Sequence, residues 1–563
     1  MIDGIAAHLG TLEAVVSTEV QGTKVIAVVA INNENFTLVI DFGANFPVEL
    51  PEIHLSDPSS YGFLPHVCWQ GKVCYNDGEG VSIDTTQPAD IAEYVITKAI
   101  EVLSIEKNKR EGLFFNEFEG YWNRQGLART AYSFFEPDDR LQILKASVLK
   151  KKKIPVVFFP DNNDVLIERE YQFSKLCKSN KTQMNAVYLP LDKCVNPPLP
   201  GEPLNISFLN DILQALSSNN KALWDTTVSK GKLPKDALHL LISQPRPIGG
   251  KSLYGITIPY GLNWLNGKIE SYNHQIVPLD IKRHTPDYLI ERSGGQINIA
   301  DKQVVIIGCG SVGSRIAELL IMSGIKKLTL IDSDNFSSDN LFRHILDSCY
   351  IGQKKVESLA EQLKSRFPYI SIATRSEKVT KLTDFLTNHD VIIDATGNPT
   401  LGRELNISCC NMNGEHIPLL LTVWTEPLGL GGHAVLSDGR TNGCLHCLFH
   451  RDNSAQLSSI FNFVEENQVV SRNLTGCGGA FTPFSALDAV KTAEMATRMA
   501  IDTLAHINAE YKNINKYQWW RGKNKAAIKA NIKTTSWYDD CEQDINNQIS
   551  AVFREGCPVC RKK

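Results

Sequence analysis

The stretch Val304-Val305-Ile306-Ile307-Gly308-Cys309-Gly310-Ser311-Val312-Gly313 decides how the second half of this chain is read. Four apolar residues run straight into a glycine-rich turn, and the pattern from Ser314 to Ser323 is helical. The order is therefore strand, turn, helix. A second apolar run, Lys327-Leu328-Thr329-Leu330-Ile331, ends in Asp332, an acid placed where a βαβ unit binds ribose. The three glycines serve a tight turn, close backbone approach to phosphate, and close packing of helix on strand. The helix start then offers free N–H groups to an anion.

This fingerprint would suit a nicotinamide-dependent oxidoreductase equally well. The residues behind it do not. Ser333-Asp334-Asn335-Phe336 is followed by Asn340-Leu341-Phe342-Arg343-His344, Ile351-Gly352-Gln353-Lys354-Lys355-Val356 and Val391-Ile392-Ile393-Asp394. Arg and Lys neutralise charge developing on phosphate oxygens and a carboxylate holds magnesium, which is the equipment for cleaving a triphosphate. In this order the motifs resemble the ThiF-type and ubiquitin-activating adenylation family, from about Glu291 to the end of the chain. The resemblance implies a Rossmann-like adenylation domain over 291–563 that uses ATP and magnesium. It implies phosphate-cradling glycines at Gly308, Gly310 and Gly313, and ribose binding by Asp332. Asn340, Arg343 and Lys355 would contact phosphates, and Asp394 would hold magnesium near a substrate carboxylate.

The rest of the chain is read outward from there. Its 563 residues, 43% hydrophobic and 21% charged with a formal net charge of −4, suit several globular domains and argue against a generic nucleic-acid binder. No secretory signal or bilayer-spanning run is evident, so a cytoplasmic location without membrane partners is expected. In that reducing compartment the 14 cysteines point to thiol chemistry, metal binding and buried apolar positions rather than disulfides.

The first 130 residues read as a helical stretch through Val20, strands over 24–31 and 36–42, and a proline-interrupted segment over 46–55. A loop, His66-Val67-Cys68-Trp69-Gln70-Gly71-Lys72-Val73-Cys74, and an amphipathic helix over 88–104 follow. This order, with Gly71-Lys72-Val73-Cys74, resembles the ubiquitin-conjugating fold, an α+β domain expected over 1–134. The resemblance implies that Cys74 carries a thioester. Where the family has His-Pro-Asn this chain has His66-Val67-Cys68, so the motif asparagine is missing. Asp77, Glu79 and Asp84 are nearby acids that could orient or deprotonate an amine.

Residues 135–290 read as a linker domain with a basic run, Lys150 to Lys153, a strand over 154–159 and an irregular connector over 196–201. Gly249-Gly250-Lys251-Ser252 ends like a P-loop, but the required first glycine falls at Pro245, which has no N–H to offer a phosphate. Further on, Cys409 and Cys410 belong to an apolar helix and are expected in the core. Cys444-Leu445-His446-Cys447 and Cys557-Pro558-Val559-Cys560 can supply four thiolates for structural zinc. Between them Cys477, in a glycine-rich segment before a helix over 484–504, matches the catalytic cysteine of activating enzymes by position.

Both ends together resemble the fused conjugating–activating enzyme of bacterial anti-phage CBASS operons. That resemblance implies an ATP-dependent ligase that adenylates a protein C-terminal carboxylate, of a cGAS-like nucleotidyltransferase. The acyl group would then pass through thioesters on Cys477 and Cys74 to a target amine. A homodimer through the adenylation domain is the family-level expectation. The alternative reading is a sulfur-carrier or small-molecule adenylyltransferase whose N-terminal domain only binds substrate.

Overall fold

The computed structural model describes residues 1–68, 70–76, 80–123, 128–149, 154–160, 181–199, 202, 204–230, 237–258, 264–265, 268–269, 276–367, 369–382, 384–413, 416–451, 457–474, 480–506, 514–542, 546–550 and 554–560. The chain divides into two compact units, Met1–Thr285 and Pro286–Lys563.

The first unit opens with helix α1 (Ile2–Leu9) and an antiparallel meander in the order β1 (Val15–Gln21), β2 (Lys24–Ile31), β3 (Glu34–Asp41) and β4 (Glu52–Leu55). The expected helix through Val20 is corrected here. Gly10 ends α1, and the β-branched residues of Val15-Val16-Ser17-Thr18 pair as a strand with β2. β4 follows Pro51 at the sheet edge, where a proline-flanked strand loses no ladder bond. Helix α2 (Pro88–Leu103) covers the sheet, burying Ile91, Val95, Ile96, Ala99 and Leu103 against Val25, Leu38 and Ile53.

Two short helices, α3 (Lys107–Asn116) and α4 (Phe118–Asn123), lead into a closed barrel. Its strands are β5 (Arg129–Ser133), β6 (Gln142–Leu149), β7 (Ile154–Pro160), β8 (Lys181–Pro190), β9 (Leu238–Pro245), β10 (Lys251–Ile258) and β11 (Val277–Arg283). They close in the order β10-β11-β5-β7-β6-β8-β9. The barrel therefore takes in residues before 135 and ends before 286. Its interior is filled by side chains, among them Leu144, Phe158, Tyr188, Leu241 and Leu279. The P-loop look-alike is the turn of the β9–β10 hairpin, where Gly249 and Gly250 have positive φ and no helix follows. Phe114, Phe118 and Trp122 of α3 and α4 pack on Tyr254 and Phe208, and the Trp122 indole donates to the Leu279 carbonyl at 3.0 Å. The meander domain is thereby joined to the barrel by a wholly buried aromatic seam. The basic run 150–153 lies outside the described residues.

The second unit is a sheet whose parallel half contains β12 (Gln303–Ile307), β13 (Lys327–Ile331), β14 (Ser371–Arg375), β15 (Val391–Asp394) and β16 (Leu419–Thr425). Helices α5 (Gly313–Met322), α6 (Lys355–Arg366), α7 (Pro399–Cys410) and α8 (Ala486–His506) pack with it. Three antiparallel strands extend it: β17 (Gly431–Ser437), β18 (Lys516–Arg521) and β19 (Asn546–Ser550). The parallel strands lie in the order β14-β13-β12-β15-β16. The order reverses between β12 and β15, which places a crevice at their carboxyl ends, after Ile307 and at Asp394.

Candidate active site

At that crevice the chain leaves β12 through Gly308, whose φ of +85° suits a residue without a Cβ. A Cβ on Gly313 would lie 1.9 Å from the Gly308 carbonyl oxygen, so this glycine sets how closely helix meets turn. Gly310 is different: a Cβ there would meet no atom within 4 Å. It lines a cavity of about 520 Å³ together with Gly308, Asp332, Lys355, Thr396 and Asn398.

The turn is held from both sides. Asp332 Oδ2 accepts the Cys309 N–H at 2.8 Å, while its Oδ1 accepts the Asp334 N–H at 2.9 Å. His344 Nδ1 accepts the Leu346 N–H at 3.1 Å, which leaves Nε2–H to donate to the Cys309 carbonyl at 2.7 Å. Burial lowers the His344 pKa to about 4 and keeps the ring in that neutral form. His344 was visible in the motif, but its supporting role was not. The signal would have been a histidine adjoining the motif arginine, which is weak alone.

Lys355 opens α6 with its side chain buried, and its ammonium pairs with Asp334 Oδ2 at 3.0 Å. The pair stands at the cavity wall, so an incoming phosphate would compete with Asp334 for a preplaced cation. Asn340 and Arg343 do not line this cavity. Asn340 Oδ1 accepts from Ser337 N and Oγ, capping its own turn, and the Arg343 guanidinium lies 5.0 Å from the centre of the Phe484 ring.

Asp394 ends β15 with its side chain buried. Oδ1 accepts from Thr396 N at 3.1 Å and Oγ1 at 2.7 Å, whereas Oδ2 has no hydrogen-bond partner. Desolvation raises its pKa to about 6, against the lowering effect of the Thr396 bonds. It lines a second cavity, of about 260 Å³, with Asn398, Thr422, Trp424, Glu426 and Phe449. Asn398 borders both cavities and caps α7, its Oδ1 accepting from Thr400 and Leu401 N–H. Thus a phosphate-sized cradle and a smaller carboxylate-lined hollow meet at one residue. Open space over Gly310, a cation and a ribose-height acid suit a nucleotide triphosphate, and the orphaned Asp394 oxygen suits a hard divalent cation.

Cys444, Cys447, Cys557 and Cys560 are all buried, with their sulfurs within 4.8 Å of one another. Cys447 and Cys560 sulfurs are 3.6 Å apart, close to the roughly 3.8 Å edge of a tetrahedron with metal–sulfur bonds of about 2.3 Å. Cys409 lies in the apolar core as expected, while Cys410 packs into this cysteine cluster. Cys477 lies outside the described residues. The strands Arg472–Asn473 and Ala480–Phe481 pair on either side of it.

In the first unit Cys74 follows a tight turn against β4. Gly71 has φ +83°, and a Cβ there would strike the Leu55 carbonyl at 2.3 Å, so the residue must be glycine. Cys74 is half-buried, and its N–H donates to the His66 carbonyl at 2.6 Å. His66 Nδ1 pairs with Glu117 Oε1 at 2.7 Å, and the His66 N–H donates to Glu117 Oε2 at 3.1 Å. Glu117 sits between α3 and α4, so the aromatic seam fixes the residue that fixes the cysteine loop. Nothing in the sequence pointed to Glu117, 51 residues from His66. Of the three nearby acids, Asp77 and Glu79 lie outside the described residues. Asp84 is exposed and accepts from Thr86 N and Oγ1.

Comparison with known proteins adds two family matches: residues 283–535 match the ThiF family and residues 11–128 match prokaryotic E2 family B. Two curated relatives are each called an ATP-dependent ubiquitin transferase-like protein Cap2. The one from Pseudomonas aeruginosa is 29% identical over 41% of this chain and 42% of its own length. The one from Vibrio cholerae is 28% identical over 43% of this chain and 42% of its own length. A third relative, the sulfur carrier protein ThiS adenylyltransferase of Escherichia coli, is 28% identical over 38% of this chain and 81% of its own length. The matched region spans about two-fifths of the Cap2 relatives. No helix among the described residues is long and apolar enough to cross a membrane.

Proposed function

We propose that this chain, in which a prokaryotic E2-type domain precedes a ThiF-type domain, is an ATP-dependent ligase that activates a protein C-terminus and conjugates it to an amine. The observation that carries the reading is Asp394: a buried carboxylate with one unpartnered oxygen, lining a small hollow that meets the glycine-turn cavity at Asn398.

In the reaction, a carboxylate oxygen of the protein tail attacks the α-phosphorus of ATP, and pyrophosphate leaves. Asp332 holds the ribose and Lys355 exchanges Asp334 for phosphate oxygens; Asp394 would hold magnesium, which would supply positive charge against the reacting oxygens. Arg343 and Asn340 complete the phosphate contacts when Arg343 leaves Phe484. The Cys477 thiolate then attacks the acyl carbon, forming a thioester and expelling AMP. The Cys74 thiolate takes the acyl group and releases Cys477. Finally an amine attacks the Cys74 thioester, its proton passes to a base, and the Cys74 thiolate departs.

The resemblance to CBASS enzymes, supported by the Cap2 relatives, makes a cGAS-like nucleotidyltransferase the proposed protein substrate in anti-phage defence. The location is then cytoplasmic, and the working form a homodimer. Similarity to the ThiS adenylyltransferase favours the second reading, sulfur-carrier activation with a binding-only N-terminal domain. Magnesium-dependent exchange of pyrophosphate into ATP, stimulated by a protein with a free C-terminus, tests adenylation; a covalent protein–protein adduct separates ligation from the second reading.

Two further outcomes follow. Glu117→Gln, which weakens the hold on His66, should leave pyrophosphate exchange unchanged and slow discharge of the Cys74 thioester about tenfold, the scale of a lost charge-assisted hydrogen bond. Single-turnover discharge at wild-type rate would remove Glu117 from the account. The four-cysteine cluster should hold one zinc per chain by elemental analysis. Cys447→Ser should lower both zinc content and melting temperature, because the metal ties the residues around Cys557 to those around Cys444.

A further inference from the structure

Behind the second cavity lies a polar network that the reaction above does not use. β16, β17 and β18 pair in antiparallel register with Trp424 opposite His433 and Val435 opposite Tyr517, so Tyr517 is the diagonal neighbour of His433. Trp424 stacks on the His433 ring at 4.7 Å. The Tyr517 hydroxyl lies 2.7 Å from His433 Nδ1, and His433 Nε2 lies 3.0 Å from Glu426 Oε1, which also accepts from Trp424 Nε1 at 3.3 Å. Burial holds the Tyr517 pKa well above its ordinary value, so its hydroxyl keeps a proton that it can donate to Nδ1. His433, wholly buried, then donates Nε2–H to Glu426.

Glu426 itself is 6% exposed and lines the 260 Å³ cavity, yet only its Oε1 accepts a side-chain hydrogen bond among the described residues. Apolar Trp424, Pro427, Phe449 and Leu457 share the cavity lining with Thr425, Ser459 and Asn462, and among the described residues none of these side chains is bonded to the other Glu426 oxygen, the indole donating to Oε1. A carboxylate oxygen left over in the wall of a mostly enclosed cavity can accept a donor from what enters it. An amide N–H is the one donor present in every peptide tail.

We propose that Glu426, fixed by His433 and Tyr517, is the specificity-determining residue of this cavity. It accepts the N–H of the last peptide bond of the incoming tail while the terminal carboxylate lies at Asp394. The proposal rests on the adenylation reading of the same site and deepens it: the substrate is an unbranched peptide terminus, entered carboxylate first, with small side chains at the positions enclosed by Trp424 and Phe449. Glu426 acts on binding and alignment and takes no part in bond making; His433 and Tyr517 are positioning residues.

The test uses the full chain in ATP–pyrophosphate exchange. The probes are acetylated heptapeptides of mixed sequence ending in Gly-Gly with a free carboxylate, and the same peptides N-methylated at the last peptide nitrogen. Methylation should lower kcat/KM about tenfold or more for the wild type, chiefly through KM, and should cost Glu426→Ala nothing further. Tyr517→Phe, which keeps the ring but frees the histidine, should show an intermediate penalty and provides the reading should Glu426→Ala fold poorly. An equal penalty in wild type and both variants would overturn the proposal. ATP binding is read in parallel: ATP bound without exchange for any peptide also overturns it while leaving adenylation of some other carboxylate standing. Failure to bind ATP would instead bring down the adenylation reading beneath it.

Discussion

Cys74→Ala should abolish covalent attachment to the target amine, by at least about a thousandfold if its thiolate is the obligatory acyl carrier, while AMP release with the first protein partner continues. The separation is expected because the two proposed chemistries sit in different compact units: Cys74 belongs to Met1–Thr285, and the glycine-turn cavity to Pro286–Lys563. Cys74 lies at the end of a turn that Gly71 and the His66–Glu117 pair shape, with Val73 buried beside it, and it contributes little to the core. Its replacement should therefore leave the melting temperature unchanged, so that lost conjugation cannot be ascribed to unfolding. Gel analysis of the adduct and a count of AMP per chain check both halves. Conjugation at the normal rate would reduce the N-terminal domain to a binding module.

Asp394→Asn should nearly abolish adenylation and at the same time stabilise the magnesium-free protein near neutral pH. The first effect removes the carboxylate that would hold the cation at the reacting phosphate, a loss on the order of a hundredfold to a thousandfold in rate. The second follows from burial. The carboxyl titrates at about 6 when folded, against 3.8 as its ordinary value. A raised carboxyl pKa means the folded state holds the proton more tightly. Stability is therefore greatest below about 4, falls as pH rises from 4 to 6, and stays lowered above 6. Two units correspond to roughly 3 kcal/mol as an upper figure. The asparagine, which cannot ionise, should escape that cost, so the variant should melt higher than wild type at pH 7.5 and with no such advantage at pH 4. Magnesium with ATP should narrow the gap by supplying the positive charge that the site lacks. Equal melting of the two proteins across this range would show that Asp394 bears no desolvation cost.

The glycine turn and the acids that flank it were legible because their motifs are local in sequence. Gly308, Gly310 and Gly313 sit in one turn, and Asp332 and Asp394 end apolar runs that pair as parallel strands. The Cys74 loop was legible for the same reason, its glycine, valine and cysteine being contiguous. The barrel was not. Leu238-His239-Leu240-Leu241-Ile242-Ser243-Gln244 is buried on both faces of its strand, so no alternation betrays which way each residue points. The stretch after Gly10 was misread because Leu12, Val15, Val16 and Val20 recur at i, i+3, i+4 and i+8, a helical spacing, and only pairing with β2 settles the period at two. The supports of the site were least legible of all. Glu117 meets His66, and Tyr517 meets His433, through packing and register that join distant segments. Arg343 and Asn340 carry the family motif yet rest on Phe484 and Ser337, which the motif alone does not reveal.

In the proposed relay one chain both activates and conjugates, passing an acyl group from Cys477 to Cys74. Intact-protein mass spectrometry tests it most directly, after incubation with magnesium, ATP and a candidate protein partner ending in a free glycine carboxylate. The relay predicts a thiol-sensitive adduct on the wild type, none on Cys477→Ala, and on Cys74→Ala an adduct held at Cys477 that never reaches an amine. An adduct on Cys477→Ala equal to that of the wild type would contradict the order of transfer, and a thiocarboxylated partner in place of any adduct would contradict ligation itself.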